Sequence, residues 1–231
     1  ALPAITAGPV LLHAHDWHTG LVPLLVALSG ESRPRTVFTV HNMAFQGNFP
    51  LESAARLGLP AELLTPDGIE FFGQISFLKA GIRYADRVTT VSPTYAQEIL
   101  TPEFGLGMEG LIQARSADLS GIMNGIDAEV WDPATDAALP NRFSLIDPEG
   151  KRACKTGLQQ QLGLHVDASA PLAVSVSRLT EQKMADVLLE QMPLLLERHP
   201  RLQIAVHGRG DRTLEKGFSQ VAQAWPGRVA V

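Results

Sequence analysis

The chain has 231 residues, 45% hydrophobic and 19% charged, with a formal net charge of −5, enough for one large globular domain or parts of two. No basic run is present to hold a nucleic-acid backbone, and a single cysteine, Cys154, excludes an internal disulfide. The longest apolar stretch near the start, residues 21–28, contains Pro23 and is too short to span a membrane.

The opening ALPAITAGPV lacks the basic region of a signal peptide. The protein is therefore read as soluble and cytoplasmic, and both ends as cut from a longer sequence. Residues 9–13 read as a buried strand, followed by a helix over 19–28. The β-branched run TVFTV predicts a strand over 36–40. Helices are expected over 73–84, 93–100 and 108–115, and strands over 87–91 and 119–123. Ser92 followed by Pro93 has the pattern of an N-cap with proline at the first helical position. Strands separated by helices imply parallel β-α-β units.

The pattern changes at residues 131–146, which are rich in Pro, Asp and Asn and have no clear period. They read as a loop, followed by a helix over 149–162. A second β-α series begins near 171: strand 172–176, helix 182–198, strand 202–206, helix 212–224, and a strand from 228. In helix 182–198, Met184, Leu188, Met192 and Leu195 recur at helical spacing and are expected in the core. The domain boundary is placed within 131–165. Residues 1–150 then form one α/β domain plus linker, and 151–231 belong to a second.

In doubly wound sheets ligands bind beyond the carboxyl ends of the strands, and the polar motifs fall there. After the first strand comes HAHDWH, His13 to His18. It suggests a binuclear zinc site, but its Asp stands one place too early and no second ligand cluster follows. The alternative is a polar strand end that binds a ligand or braces the next loop. Asp16 is equally readable as a helix N-cap. At the end of the second strand stands TVHNMAFQG, Thr39 to Gly47, where His41, Asn42 and Gln46 either meet a substrate or are satisfied locally. Asn124-Gly125-Ile126-Asp127 is first a turn signal.

After the first strand of the second series comes SRLTEQK. Arg178 and Lys183 bracket a helix start, which offers unpaired N–H groups and partial positive charge. Such cations would hold a diphosphate and offset charge on a departing nucleotide. The competing reading is a surface Arg and Lys with Ser177 or Thr180 as a cap. In HGRGD, residues 207–211, the glycines permit close backbone approach or a tight turn. No D-x-D triplet is present to hold a metal, so protein cations must neutralise any diphosphate.

Taken together, HAHDWHTGL, TVFTVHNMAFQGNFP, GIEFFGQISFLKAGIRYADRVTTVSPTYAQEIL, GLGMEGLIQ, GIMNGIDAEVWDPATD, KTGLQQQLGL and SVSRLTEQK resemble the ADP-glucose-dependent bacterial glycogen synthases and plant starch synthases (glycosyltransferase family 5). They run in the family's order and cover most of the chain. The resemblance implies an α/β fold of the GT-B type, two Rossmann-like domains facing across a cleft, both incomplete here. It implies a retaining transfer of glucose from ADP-glucose to the non-reducing end of an α-1,4-glucan, without metal or other cofactor, and with neither nucleic acid nor membrane as partner. Position by position, His41 resembles the histidine that contacts the donor glucose, and Asp16 the active-site aspartate. Asn124 and Asn42 resemble substrate contacts, and Arg178 and Lys183 the diphosphate-binding pair, with Gln182 beside them. The resemblance thus puts His41 and the two cations on one shared groove.

Two departures stand out. Met184 occupies a position that is often glycine in the family, and the family's lysine-glycine donor loop and much of its nucleotide pocket lie outside this sequence. Rival readings are a sucrose- or trehalose-type transferase, a non-catalytic glucan-binding or regulatory protein of the same fold, and the zinc hydrolase.

Overall fold

Residues 10–30 and 33–231 are described by a computed structural model. The chain folds as two compact units, Ala1–Gly125 and Ile126–Val231. Among the described residues no helix is long and apolar enough to cross a membrane.

The elements of the first unit are, in order, β1 (Leu11–His15), α1 (Leu21–Ala27), β2 (Arg35–Val40), β3 (Asn48–Pro50), α2 (Ser53–Arg56), β4 (Glu70–Phe71), β5 (Gln74–Ser76), α3 (Phe77–Tyr84), β6 (Arg87–Thr90), α4 (Pro93–Glu98), α5 (Pro102–Gly105), α6 (Glu109–Ala114) and β7 (Leu119–Gly121). Strands β1, β2, β6 and β7 form a parallel sheet in that order. Its register sets His15 beside Thr39, and Thr39 beside Thr89.

Parallel strands need both faces covered. Phe38, Val40 and Val88 bury one face of the sheet under Leu78 and Ile82 of α3 and Ile112 of α6. Each such side chain contributes about 1.5–3 kcal/mol when fully buried. Helix α3 lies so close that a Cβ on Gly81 would strike the ring of Phe38. The other side of α3, through Ala80, joins Leu24, Ala54, Ile69 and Ile75 in a second apolar cluster.

Local chemistry sets the element ends. Ser76 caps α3, accepting from the Lys79 N–H at 3.2 Å. Ser92 caps α4, accepting from the Tyr95 N–H at 2.9 Å, with Pro93 in the first turn as expected. At the other end of α3, Arg115 donates to the carbonyls of Ile82, Arg83 and Ala85, which the helix leaves without internal partners.

The second unit contains α7 (Glu149–Gln161), β8 (Leu172–Val176), α8 (Ala185–Arg198), β9 (Gln203–His207), α9 (Arg212–Ala224) and β10 (Val229–Ala230). Its sheet is parallel in the order β10-β9-β8. Met192, Leu196, Ile204, Val206 and Phe218 form its core. Asp211 caps α9 through the N–H groups of Thr213 and Leu214.

Several expectations change. The first strand is Leu11–His15, two residues later than predicted, and Pro9 lies outside the described residues. Residues 74–76, expected to open a helix, instead form the central strand of a small antiparallel sheet, β3-β5-β4. Met184 interrupts the expected 182–198 helix. It adopts a left-handed φ of 55° and is 62% exposed, while Leu195 is 37% exposed. Met192 is fully buried, and Leu196, rather than Leu195, completes the apolar face. Asn124 and Gly125 form no turn. The turn comes later, where Asp127 Oδ1 accepts from the N–H groups of Glu129 and Val130, both at 3.1 Å.

Candidate active site

The carboxyl ends of β1 and β2 bring together the histidine motifs. His13 and His15 point to the same face of β1, their ring centroids 4.2 Å apart. His15 Nδ1 lies 3.0 Å from His41 Nε2, so one ring donates and the other accepts. His13 Nε2 lies 2.7 Å from Thr39 Oγ1, and Thr39 Oγ1 lies 2.6 Å from Thr89 Oγ1. Burial, reinforced by the neighbouring His13 and His41 rings, holds the His15 imidazole below the ordinary histidine range, against a smaller opposing pull from Asp16. The neutral form suits a ring that must keep one nitrogen bare for its neighbour.

Asp16 does not cap the short 3-10 turn Trp17–Thr19 that follows it. Its backbone sits at φ 53°, ψ −179°, a conformation close to the region occupied almost only by glycine. This bend turns the carboxylate onto β2, where Oδ1 accepts from the His41 N–H at 2.8 Å. The strained aspartate thus fixes the backbone of His41. Beyond it, Asn42 Oδ1 accepts from the Ala44 N–H at 2.9 Å, so this asparagine is partly spent on its own turn. The Met43 N–H donates to the Tyr95 hydroxyl at 3.0 Å, and Gln46 Nε2 donates to the Leu106 carbonyl at 3.0 Å. His41 itself is exposed.

Among the described residues, no group of three or more His, Cys, Asp and Glu is placed to hold a metal. The His15–His41 hydrogen bond occupies one nitrogen of each ring, and His13 is engaged by Thr39.

In the second unit, Arg178 and Lys183 stand on the segment joining β8 to α8, both exposed, with Gln182 exposed beside Lys183. The ion pairs of the described residues all lie elsewhere. Neither Ser177 nor Thr180 caps α8. The Ser177 hydroxyl donates to the Arg178 carbonyl, and Thr180 Oγ1 is buried without a partner. Met184 precedes the helix in the left-handed conformation, and α8 has no side-chain cap. Its first N–H groups therefore lack the side-chain acceptor that α3, α4 and α9 possess. Beside this segment runs the loop after β9. A Cβ on Gly208 would collide with the Ser177 carbonyl and one on Gly210 with that of Leu179, so the two loops meet backbone to backbone.

Asn124 is exposed at the end of the first unit. Asp16, His41 and Asn42 lie together at one strand end of the first unit, and Arg178, Gln182 and Lys183 at one strand end of the second. Sequence reasoning includes Thr39 in the His41 motif without a role and misses the bracing residues Thr89 and Tyr95. The period-two alternation of TVFTVH, with Thr39 and His41 two apart, is the signal that places Thr39 on the His41 face.

Residues 1–114 match the starch synthase catalytic domain family. The chain is 63% identical over 223 residues to a glycogen synthase of Burkholderia thailandensis, covering 96% of the chain and 42% of that protein. It is 52% identical over 224 residues to a glycogen synthase of Bordetella petrii, covering 96% and 43%. Among solved structures, it is similar to the catalytic domain of starch synthase IV from Arabidopsis thaliana bound to ADP and acarbose, with TM-score 0.87, 31% identity, and coverage of 99% of this chain and 48% of that one. The chain spans less than half the length of these relatives. Its α/β architecture is of the GT-B class shared with that catalytic domain, and over 96% of its length the chain is similar to these glycogen synthases.

Proposed function

We propose that this chain carries the sugar- and diphosphate-handling strand ends of a retaining glucosyltransferase. The enzyme moves glucose from ADP-glucose to the non-reducing end of an α-1,4-glucan, in the cytoplasm and without a metal. The observation that carries this reading is the segment after β8. Arg178 and Lys183 are exposed, engage no carboxylate among the described residues, and lead into a helix start with no side-chain cap. Free cations beside a helix start that has no side-chain acceptor suit a diphosphate.

As the bond from the glucosyl carbon to the diphosphate oxygen breaks, negative charge grows on the departing ADP. Arg178 and Lys183 offset that charge in the transition state more than in the ground state, which is the condition for acceleration. Gln182 supplies a neutral donor on the same turn. His41, its backbone fixed by Asp16 and its ring by His15, is assigned to the glucosyl hydroxyls. The acceptor's 4-hydroxyl oxygen then bonds to the glucosyl carbon on the face the diphosphate leaves, its proton passing to the departing diphosphate oxygen, with retention at that carbon. Asn42 and Asn124 are assigned to donor-sugar contacts. The starch synthase IV neighbour was bound to ADP and to acarbose, which supports a nucleotide and a glucan as the two ligands.

The test is transfer of labelled glucose to glycogen, comparing ADP-glucose with UDP-glucose, with and without a chelator. The reading expects an α-1,4-linked product, preference for ADP-glucose, and no loss on chelation. Carried out on a protein of the relatives' length that contains this chain, absence of transfer from either donor would overturn it.

A further inference from the structure

The β4–β5 hairpin turns through Phe72 and Gly73, with φ of 48° and 76°. Two successive positive values define the hairpin turn that favours Asn-Gly. Phenylalanine in the first of these places is strained, yet its ring is 82% exposed. Neither burial nor backbone preference accounts for it, and strain held at a surface is a pointer to function.

The surroundings connect this ring to the His41 loop. The rings of Phe71 and Phe72 meet edge-on at 4.6 Å. A Cβ on Gly107 would lie 3.1 Å from Phe72 Cε2 and 3.2 Å from Phe71 Cζ, so the Gly107 backbone abuts both rings. Its neighbour Leu106 is also left-handed, at φ 51°, and 44% exposed. The Leu106 carbonyl is the acceptor for Gln46 Nε2, in the loop that follows His41. Gln46 Oε1 in turn accepts from Asn48 Nδ2 at 3.2 Å. A continuous rim thus runs from His41 through the amides of Gln46 and Asn48 to the apolar pair Leu106 and Phe72.

We propose that this rim is an outer subsite for the glucan, with Phe72 stacking against the apolar face of a glucose unit distant from the reacting end. A pyranose presents C–H groups on its faces and hydroxyls at its edge. It therefore fits an exposed aromatic ring flanked by amides better than an apolar or a charged ligand does. This assignment rests on the transferase reading above, which supplies the α-1,4-glucan as occupant.

The experiment is gel electrophoresis of the chain through embedded glycogen, with a mixed-linkage β-glucan gel as control. Phe72→Asn removes the ring and installs the residue that the turn prefers, so its melting temperature is expected to hold or rise. Retardation by glycogen is expected to weaken about tenfold in Phe72→Asn and to persist in Phe72→Trp. Equal retardation of Phe72→Asn and the wild type would overturn the subsite, and would be the result if the ring served a protein contact instead. A wild type that transfers glucose but is not retarded would also overturn the subsite while leaving the transferase reading intact. Absence of transfer sinks the transferase reading itself.

Discussion

Two regions use their charges in opposite ways, the surroundings of β2 and β6 in the first unit and the β8–α8 junction in the second. In the first, Arg33 forks onto Asp86 with both nitrogens at 2.8 Å, Arg35 reaches the same carboxylate at 3.1 Å, and Arg115 is spent on helix carbonyls. At the β8–α8 junction of the second, Arg178 and Lys183 engage nothing comparable. The bend at Asp16 is braced by the bond from the His41 N–H, whereas the left-handed Met184 is exposed and has no side-chain bond. Surface cations are often free. What sets these apart is their place at a strand end before an uncapped helix. The charges around Asp86 are matched within the fold, and on the reading proposed above Arg178 and Lys183 are left free for a ligand.

The sharpest way to break the comparison on the structural side is Asp86→Ala. The carboxylate accepts from Arg33, Arg35, and the N–H and hydroxyl of Thr36, and its removal strands those donors. Chemical denaturation is expected to show a loss of about 3 kcal/mol. The Arg33 guanidinium, with Thr36 and Arg35, holds this carboxyl far below the usual range, against the opposing effect of burial. A depressed folded value contributes stability above the unfolded carboxyl pKa of about 3.9 that is lost as pH falls through the folded value. The gap between wild type and Asp86→Asn should therefore be full near neutrality and narrow in strong acid. A gap constant down to the acid limit would contradict the assignment.

Glycine at each strained position sharpens the second half of the comparison. Met184→Gly relieves a left-handed side chain that has no compensating bond, and should raise stability by about 1 kcal/mol. Asp16→Gly relieves a comparable bend but removes the carboxylate that fixes His41, a charged hydrogen bond of about 1.5–3 kcal/mol. It should give no gain in melting temperature and should lower transfer. A gain from Asp16→Gly equal to that of Met184→Gly would mean that the bond to His41 does not brace the site.

The smallest effect concerns His15. Replacing His41 with Gln removes one of the lesser causes that depress it, burial being the first. NMR titration should show the His15 value moving upward and remaining below the ordinary range. No movement would mean that the two rings do not communicate.

Much of the second unit is legible from sequence. β8 and α9 occupy the residues predicted for them, because apolar runs and helical periodicity there are bounded by clear breaks. The Ser92-Pro93 signal marks the start of α4 for the same reason. The small antiparallel sheet is not legible. Its strands are two or three residues long, one contains Pro50, and Ile75, Leu78, Lys79 and Ile82 mimic helical spacing across the strand-to-helix junction. The side-chain period places Met184 in a helix and carries no information about its left-handed backbone, to which the family's frequent glycine at that position is the one pointer. At the site, residue types name the candidates, but the role of Asp16 depends on its φ and on the register of β1 against β2. Neither is written in local spacing.

The central claim is that Arg178 and Lys183 are free because they wait for a diphosphate, and calorimetric titration of the chain with ADP tests it most directly. Lys183→Ala and Arg178→Ala should each weaken binding by about 10- to 100-fold and flatten its salt dependence, with the melting temperature unchanged. ADP affinity equal to wild type in both variants would contradict the account.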